Sequence, residues 1–270
     1  MPDVFSSIGF GIGLVLLALV LFPYVLGPVF VLATQRFTVP TELVEIDPRN
    51  DPLPESIRGH FSDSYDALYS LGFELSGVVS LPKLVPGAQS ICAVYMNRQT
   101  SQLANATFIV APSIPTPLTV KYVEFVTRFS DGTMVQTNNS SALGAFKRLP
   151  YDHTLQFFDV LDLQQLYKLH VFHESRHRQS FPVNRLAGEF RGDLVAYMQQ
   201  AVLEEPFAEQ IGTGYLARTS TGFRPTVLGA CIMTWQELRP FSQIRKAGRR
   251  RQAEELLREF RQAFPPIMSR

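Results

Sequence analysis

The sequence begins with a long stretch, from Val4 to Gln35, that carries no charged side chain. The apolar centre of this stretch, residues 10–33, reads FGIGLVLLALVLFPYVLGPVFVLA. A helix needs about 20 apolar residues to cross the hydrocarbon core of a bilayer, so the stretch is long enough to span one. Pro23 and Pro28 would break a helix in water, but a membrane span tolerates them as a kink. The sequence therefore predicts an N-terminal transmembrane helix.

A cleaved secretory signal peptide is the alternative interpretation of this stretch. Signal peptides have a shorter apolar core, which follows one or more basic residues. No Lys or Arg precedes the apolar core here. We therefore expect an uncleaved single-pass anchor at residues 1–35, which contacts the lipid bilayer through residues 8–34.

Basic residues near the C-terminus indicate which side of the membrane the body occupies. Clusters of this kind bind the anionic headgroups of a cytoplasmic leaflet. The two cysteines are too few for a disulfide framework, which favours a reducing compartment. We expect a membrane protein with a cytosolic body, and we do not expect nucleic-acid binding, because no aromatic residues alternate with the arginines. The predicted membrane-surface residues are Arg245, Lys246, Arg249, Arg250 and Arg251.

The rest of the chain divides into a tether, a body and a terminal helix. Residues 36–54 are rich in Pro and Asp, which is typical of a tether rather than a helix or strand. Residues 55–241 carry both helical and strand patterns and form the predicted body. Residues 242–270 read as a basic amphipathic helix.

The body has the pattern of an α+β fold. Apolar residues at helical spacing follow Pro54. Several short strand-like segments come next, and residues 120–129 alternate between two faces as a strand does. Asp131-Gly132 favours a hairpin turn, and a further helix begins at Asp162. The predicted fold is a mostly antiparallel sheet packed with helices, behind the transmembrane helix.

Two further segments are predicted from weaker patterns. Residues 186–201 have apolar side chains at helical spacing and predict a helix that ends near Pro206. Residues 215–219 and 225–235 lie on either side of a Ser-Thr-Gly turn, and residues 226–235 form an apolar run. This arrangement predicts a second hairpin.

The pentapeptide HESRH, from His173 to His177, resembles the H-E-x-x-H pattern of the zincin peptidases. Residues four apart share one helix face, so both histidines could reach one zinc ion. The resemblance implies that Glu174 activates a zinc-bound water. A third ligand would lie downstream, at Glu189 or at Glu205, which begins an E-x-x-A sequence. The resemblance thus implies a zinc site made of His173, His177 and Glu205, with Glu174 as the catalytic base.

The same residues also fit a structural helix. One stripe of the helix contains Leu163, Leu166, His170, His173 and His177, and we expect the leucine end to enter the core while the histidine end emerges at its margin. Arg176 and Arg178 place positive charge beside the histidines, which disfavours a bound cation. A third interpretation is a pH-responsive or non-catalytic metal-binding cluster of His170, His173 and His177.

No complete catalytic constellation accompanies these motifs. Cys92 and Cys231 lie in apolar segments without a basic neighbour, so neither has the environment of a nucleophile. The sequence favours a non-enzymatic interaction or accessory module at a membrane surface, without a cofactor. The alternative is a membrane-anchored zinc metallopeptidase.

Overall fold

Seven strands form the main sheet, in the order β2-β3-β4-β5-β6-β7-β8. Neighbouring strands are antiparallel, except that β7 and β8 are parallel. With the helices described below, this sheet confirms the predicted α+β fold. The strands are β2 Val44–Ile46, β3 Glu74–Pro82, β4 Gln89–Asn97, β5 Gln102–Ala111, β6 Leu118–Arg128, β7 Met134–Asn138 and β8 Asp152–Gln156.

The coordinates come from a computed structural model of the chain. It describes residues 2–38, 43–47, 50–51, 53–82, 88–111, 118–144, 146, 148–178 and 193–265. At residues 2–14, 16–17, 19, 38, 82, 111 and 202 the description covers the backbone alone.

A small second sheet has the order β1-β10-β9. Its strands are β1 Phe37–Thr38, β9 Leu216–Thr219 and β10 Gly222–Pro225. Because β1 and β2 both lie within residues 36–54, the segment expected to be a tether pairs with both sheets. Leu43 and Leu53, in the same segment, are buried.

The helices begin and end where the local chemistry favours it. Asp162 Oδ1 accepts a hydrogen bond from Gln164 N (2.9 Å), which satisfies a free N–H at the start of α3. The helices are α1 Pro2–Thr34, α2 Glu55–Ser70, α3 Leu163–Arg178, α4 Leu194–Met198, α5 Glu205–Gly212, α6 Val227–Glu237 and α7 Phe241–Ala263. A π-helical segment, Gln199–Glu204, joins α4 to α5.

The main sheet is covered on both faces. Helices α2, α3 and α7 cover one face around Leu68, Leu166 and Leu256, which are inaccessible to solvent. Helices α4 and α5, the π-helical segment and the small sheet cover part of the other face, where Leu203 and Phe207 are buried. Each such side chain stabilises the fold by about 1.5–3 kcal/mol.

Two of the weaker sequence predictions were wrong in part. The second hairpin exists, but it is formed by β9 and β10, and residues 227–237 form helix α6 instead of its second strand. Thr226 Oγ1 accepts a hydrogen bond from Gly229 N (3.0 Å) and so caps this helix. Residues 186–192 of the helix predicted over residues 186–201 lie outside the described residues. Its described part continues past Pro206 into α5.

Helix α1 contacts the body through its C-terminal part. Trp235 Nε1 donates a hydrogen bond to the carbonyl oxygen of Tyr24 (2.9 Å), and Gly27 lies against Thr234. In the N-terminal half of α1 the structure describes the backbone but few of the side chains. Across the part of the chain that is described, no helix has both the length and the apolar character that crossing a membrane requires. The predicted transmembrane helix is therefore not supported by the structure.

Replacement of two helical glycines by alanine should have opposite effects. A Cβ on Gly229 would overlap the carbonyl oxygen of Tyr215, which is backbone and cannot turn away. We expect Gly229→Ala to lower the free energy of unfolding by about 1–3 kcal/mol. A Cβ on Gly59, in α2, meets nothing within 4 Å, so Gly59→Ala should raise it by about 0.5–1 kcal/mol. Urea unfolding measures both, and equal effects would contradict the packing of α6.

Candidate functional site

The face of α3 that carries the pentapeptide HESRH is buried against the sheet. His170, His173 and Glu174 have exposed fractions of 0%, 5% and 1%. The expectation that the histidine end emerges at the margin was wrong for these two histidines. The physical reason is that β6 and β7 place the hydroxyl groups of Thr127 and Thr137 beside the rings, so the rings find polar partners in the interior.

The hydrogen bonds around these histidines form a chain that ends at a carboxylate. His173 Nδ1 lies 3.3 Å from Thr137 Oγ1, which lies 3.2 Å from His170 Nδ1. His170 Nε2 lies 3.0 Å from Thr127 Oγ1, which donates to Glu174 Oε2 (3.3 Å). Because an ionised carboxylate only accepts, the chain has one consistent direction. It assigns the ring protons to His173 Nδ1 and His170 Nε2.

Burial keeps both histidines neutral. It lowers the pKa of His170 to about 3 and that of His173 to about 3. For His173, the neighbouring His170 and His177 lower the pKa further. Neutral rings suit the hydrogen-bond chain, because each ring then carries one donor and one acceptor.

Glu174 is held on both carboxylate oxygens. Its Oε2 accepts from Gln102 Nε2 and from Thr127 Oγ1. Its Oε1 accepts from Arg178 Nε (3.0 Å) and Nη2 (2.6 Å), one helical turn further along. Gln102 Oε1 in turn accepts from Tyr167 OH (2.8 Å). The carboxylate that the zincin resemblance implies as a catalytic base therefore joins α3 to the sheet.

The proposed zinc ligands do not come together. The rings of His173 and His177 lie near each other, with centroids 5.5 Å apart. Glu205, however, forms an ion pair with Arg128 (2.9 Å) on the opposite face of the sheet. Glu189 lies outside the described residues. Among the residues that are described, no three His, Cys, Asp or Glu side chains are placed to hold a metal ion.

The opposite face of the sheet carries a cavity of about 950 Å³, which we name the sheet cavity. Its floor includes a row of polar side chains from four neighbouring strands, β5 to β8. Tyr197 and Met198 of α4 and Glu205 of α5 line it from the covering helices. The floor row is Asn105, Glu124, Asn138 and Gln156, each in register with the next.

Glu124 is the most unusual group in the sheet cavity. Its carboxyl accepts a hydrogen bond from Asn138 Nδ2 (2.9 Å). Burial raises the pKa of Glu124 to about 7. The hydrogen bond from Asn138 acts in the opposite direction, and the nearby charge of Asp152 raises the pKa further. Burial also raises the pKa of Asp152 above its usual range. On the neighbouring strand, the buried Asn105 Oδ1 has no hydrogen-bond partner among the described residues.

Two residues that line the cavity were predicted for other sites, Glu205 as a zinc ligand and Arg249 at a membrane surface, but the sequence did not predict a site at the floor row. The available signal was the alternation of β6, which puts Glu124 between Tyr122 and Val126 on one face. A carboxyl group in the middle of such a strand is unusual, because strands favour apolar and β-branched residues. The strand alone does not show whether that face meets water or protein.

The basic cluster is divided between the body and the surface. Arg245 donates to the carbonyl oxygen of Gly144 (2.9 Å), and Arg249 lines the sheet cavity. These two arginines therefore point towards the body. The other three members, Lys246, Arg250 and Arg251, are exposed.

Comparisons with known proteins add no assignment to this geometry. No protein-family model, no curated protein and no solved structure matches the chain. Fold and site together define a mixed α+β protein with a buried histidine network on one face of its sheet and a polar cavity on the other.

Acidification should weaken the fold through the buried histidines. The pKa of His170 is about 3 when folded and about 6.5 when unfolded, so the unfolded state binds the extra proton between these values. The contribution of the neutral His170 to the free energy of unfolding is therefore complete above pH 6.5 and is lost as pH falls towards 3. We expect His170→Gln to reduce the loss of unfolding free energy between pH 7 and pH 5 by about 2 kcal/mol.

The control for this experiment is Gln165→Ala, since Gln165 is exposed on the same helix and its side chain does not titrate. Urea unfolding of the detergent-solubilised chain at each pH gives the free energies. The control should keep the pH dependence of the wild type. An unchanged pH dependence in His170→Gln would show that His170 is not buried in its neutral form.

Proposed function

We propose that the chain is a non-enzymatic accessory module that is held at a membrane by helix α1. The observation that carries this proposal is the exposed apolar surface of α1. Its large apolar side chains have exposed fractions between 44% and 66%. Monomeric proteins in water rarely expose a continuous apolar patch of this kind. The side chains are Val15, Val20, Leu21, Phe22, Val25, Leu26, Val29 and Phe30.

A lipid bilayer is the proposed occupant of this surface. Helix α1 has 33 residues, which corresponds to about 50 Å at 1.5 Å per residue. The hydrocarbon core of a bilayer is about 30 Å thick. Residues 4–35 carry no charged side chain, and the polar residues Ser6, Ser7, Thr34 and Gln35 lie near the ends of the stretch. Tyr24 and Trp235 meet where α1 joins the body, and these two residue types favour the membrane–water interface.

The exposed part of the basic cluster supports a cytosolic position of the body. Anionic headgroups can reach the exposed side chains of Lys246, Arg250 and Arg251. Each of these basic residues would add about 1 kcal/mol of attraction near the membrane surface. Arg250 also lies 3.5 Å from Asp159 in an exposed ion pair, which lipid phosphates would compete with. Arg245 and Arg249 are not part of the proposed headgroup contact, because both face the body.

An accessory role fits the histidine helix better than catalysis does. Glu174 is buried, and its two oxygens are held by Gln102, Thr127 and Arg178. A catalytic base must instead be free to receive a proton from a bound water. The network stabilises the body that helix α1 would hold at the membrane.

Alkaline carbonate extraction of cell membranes tests the proposal. The wild type should remain in the membrane pellet, since apolar contact with lipid survives high pH. Leu21→Lys combined with Val25→Lys should move the protein into the supernatant. Each Lys near the middle of a span costs about 2.5–3.5 kcal/mol.

A matched control places two lysines at exposed apolar positions of the body, Leu118 and Leu161. This variant should stay in the pellet with the wild type. Release of the wild type by carbonate would contradict the membrane proposal. If the released protein were a dimer by size-exclusion chromatography, α1 would instead be covered by a second copy of the chain.

A further inference from the structure

The floor of the sheet cavity combines two hydrogen-bond acceptors on neighbouring strands. Asn105 of β5 and Glu124 of β6 are register partners, so their Cβ atoms lie about 4.5–5.5 Å apart. Both side chains line the cavity. A group that lies between them can therefore contact both.

The Asn105 side chain points to a ligand with a hydrogen-bond donor. Its Oδ1 is buried and has no partner among the described residues. An amide oxygen can only accept hydrogen bonds, and leaving it unsatisfied in the interior is unfavourable. A ligand with an N–H group would supply the missing donor.

Glu124 points to a ligand with a positive charge. In the described part of the chain, no basic side chain forms an ion pair with its carboxyl. Two of the arginines that line the cavity have other partners: Arg128 pairs with Glu205, and Arg148 donates to the carbonyl oxygen of Thr154. A half-buried carboxylate without a cation is unfavourable, so a cationic ligand would stabilise its ionised form.

The remaining charges of the cavity also favour a cation over an anion. Counting Glu124, five carboxyl groups line it against three guanidinium groups, which gives a formal charge of −2 when all are ionised. Tyr122 and Tyr151 also line the cavity, and burial raises the pKa of both phenols, so they stay neutral near pH 7. The other charged groups that line it are Arg128, Asp131, Arg148, Asp152, Glu205, Glu209 and Arg249.

The neighbouring row of the floor is apolar. Leu103 and Val126 are register partners one row away from Asn105 and Glu124, and Met134 and Phe146 line the same cavity. The volume of about 950 Å³ lies at the upper end of the range of about 300–1,000 Å³ for small-molecule sites. The cavity can thus hold an apolar group beside a polar one.

We propose that the sheet cavity binds a small organic amine, with its ammonium group between Asn105 and Glu124 and its apolar part against Leu103 and Val126. This site is distinct from the apolar surface of α1, and its test does not depend on attachment to a membrane.

Binding should become tighter as pH rises. The pKa of Glu124 is about 7, so its carboxyl changes from mostly protonated at pH 6 to mostly ionised at pH 8. An alkyl ammonium group stays charged across this range. Since the ionised carboxylate attracts the ammonium group, affinity should rise about tenfold from pH 6 to pH 8.

The experiment titrates the detergent-purified full chain with benzylamine, followed by saturation-transfer NMR, with protein-free micelles as the blank. Benzyl alcohol and benzoate are the uncharged and anionic probes of similar shape. We expect saturable binding of benzylamine at millimolar concentration, and at least tenfold weaker binding of the other two probes.

Two variants test the roles of the acceptors. Glu124→Gln keeps the shape and the contact with Asn138, and should weaken benzylamine binding at pH 8 at least tenfold and remove its pH dependence. Asn105→Leu removes the unsatisfied oxygen, so it should fold at least as well as the wild type but bind more weakly. Glu204→Gln is the control, because Glu204 is exposed on the π-helical segment outside the cavity lining.

The proposal is overturned if benzylamine shows no saturable binding, or if benzyl alcohol or benzoate binds as tightly. Equal affinity in the wild type and Glu124→Gln would also overturn it. Loss of binding in Glu204→Gln would place the site elsewhere on the protein.

Discussion

The alternation of side chains along strand β6 determines where each polar group of this protein lies. Successive residues of a strand point to opposite faces of its sheet. Phe125 and Thr127 therefore face helix α3, while Glu124, Val126 and Arg128 face the sheet cavity. One strand thus takes part in two polar arrangements that the sheet keeps apart. A shift of one residue in its register would exchange the two sets.

The network on the α3 face shows how a polar helix can be buried. Both oxygens of Glu174 accept hydrogen bonds, and the two neutral rings of His170 and His173 complete a directed chain through two threonines. A fully satisfied network of this kind gives the helix one preferred position on the sheet, whereas a purely apolar contact would allow sliding. The cavity face is different: among the described residues, the Asn105 amide oxygen has no hydrogen-bond partner and the Glu124 carboxyl forms no ion pair. Unsatisfied groups of this kind are typical of binding sites rather than of structural cores.

Local patterns in the sequence predicted most of the helices and strands. The hairpin at Asp131-Gly132 and the strands beside it follow from turn chemistry and alternation, and Gly132 has the positive φ (+88°) that such a turn uses. Helix α6 was missed as a helix because its apolar run fits a buried strand equally well. The choice depends on the Thr226 cap and on contact with α1, which is far away in the sequence.

The sites were harder to predict than the fold. HESRH has the spacing of a zinc motif, but the sequence does not show that Thr127 and Thr137 lie opposite the histidines. The sheet cavity depends on helices from residues 194–212, which cover a floor made by residues 102–156. Neither segment carries a recognisable motif by itself. Only the tertiary arrangement combines a half-buried carboxyl, an unsatisfied amide and enough space for a ligand.

The most direct test of this account is the contribution of Glu174 to stability, measured by urea unfolding of Glu174→Ala beside Glu259→Ala. Glu174 is buried and accepts the hydrogen bonds that Gln102 and Thr127 donate, so its removal should lower the free energy of unfolding by about 3 kcal/mol or more. Glu259 forms an exposed ion pair with Arg176 (2.9 Å), so its removal should cost less than about 1 kcal/mol. A similar, small cost for both variants would contradict a structural role of Glu174. It would return the residue to the candidates for catalysis.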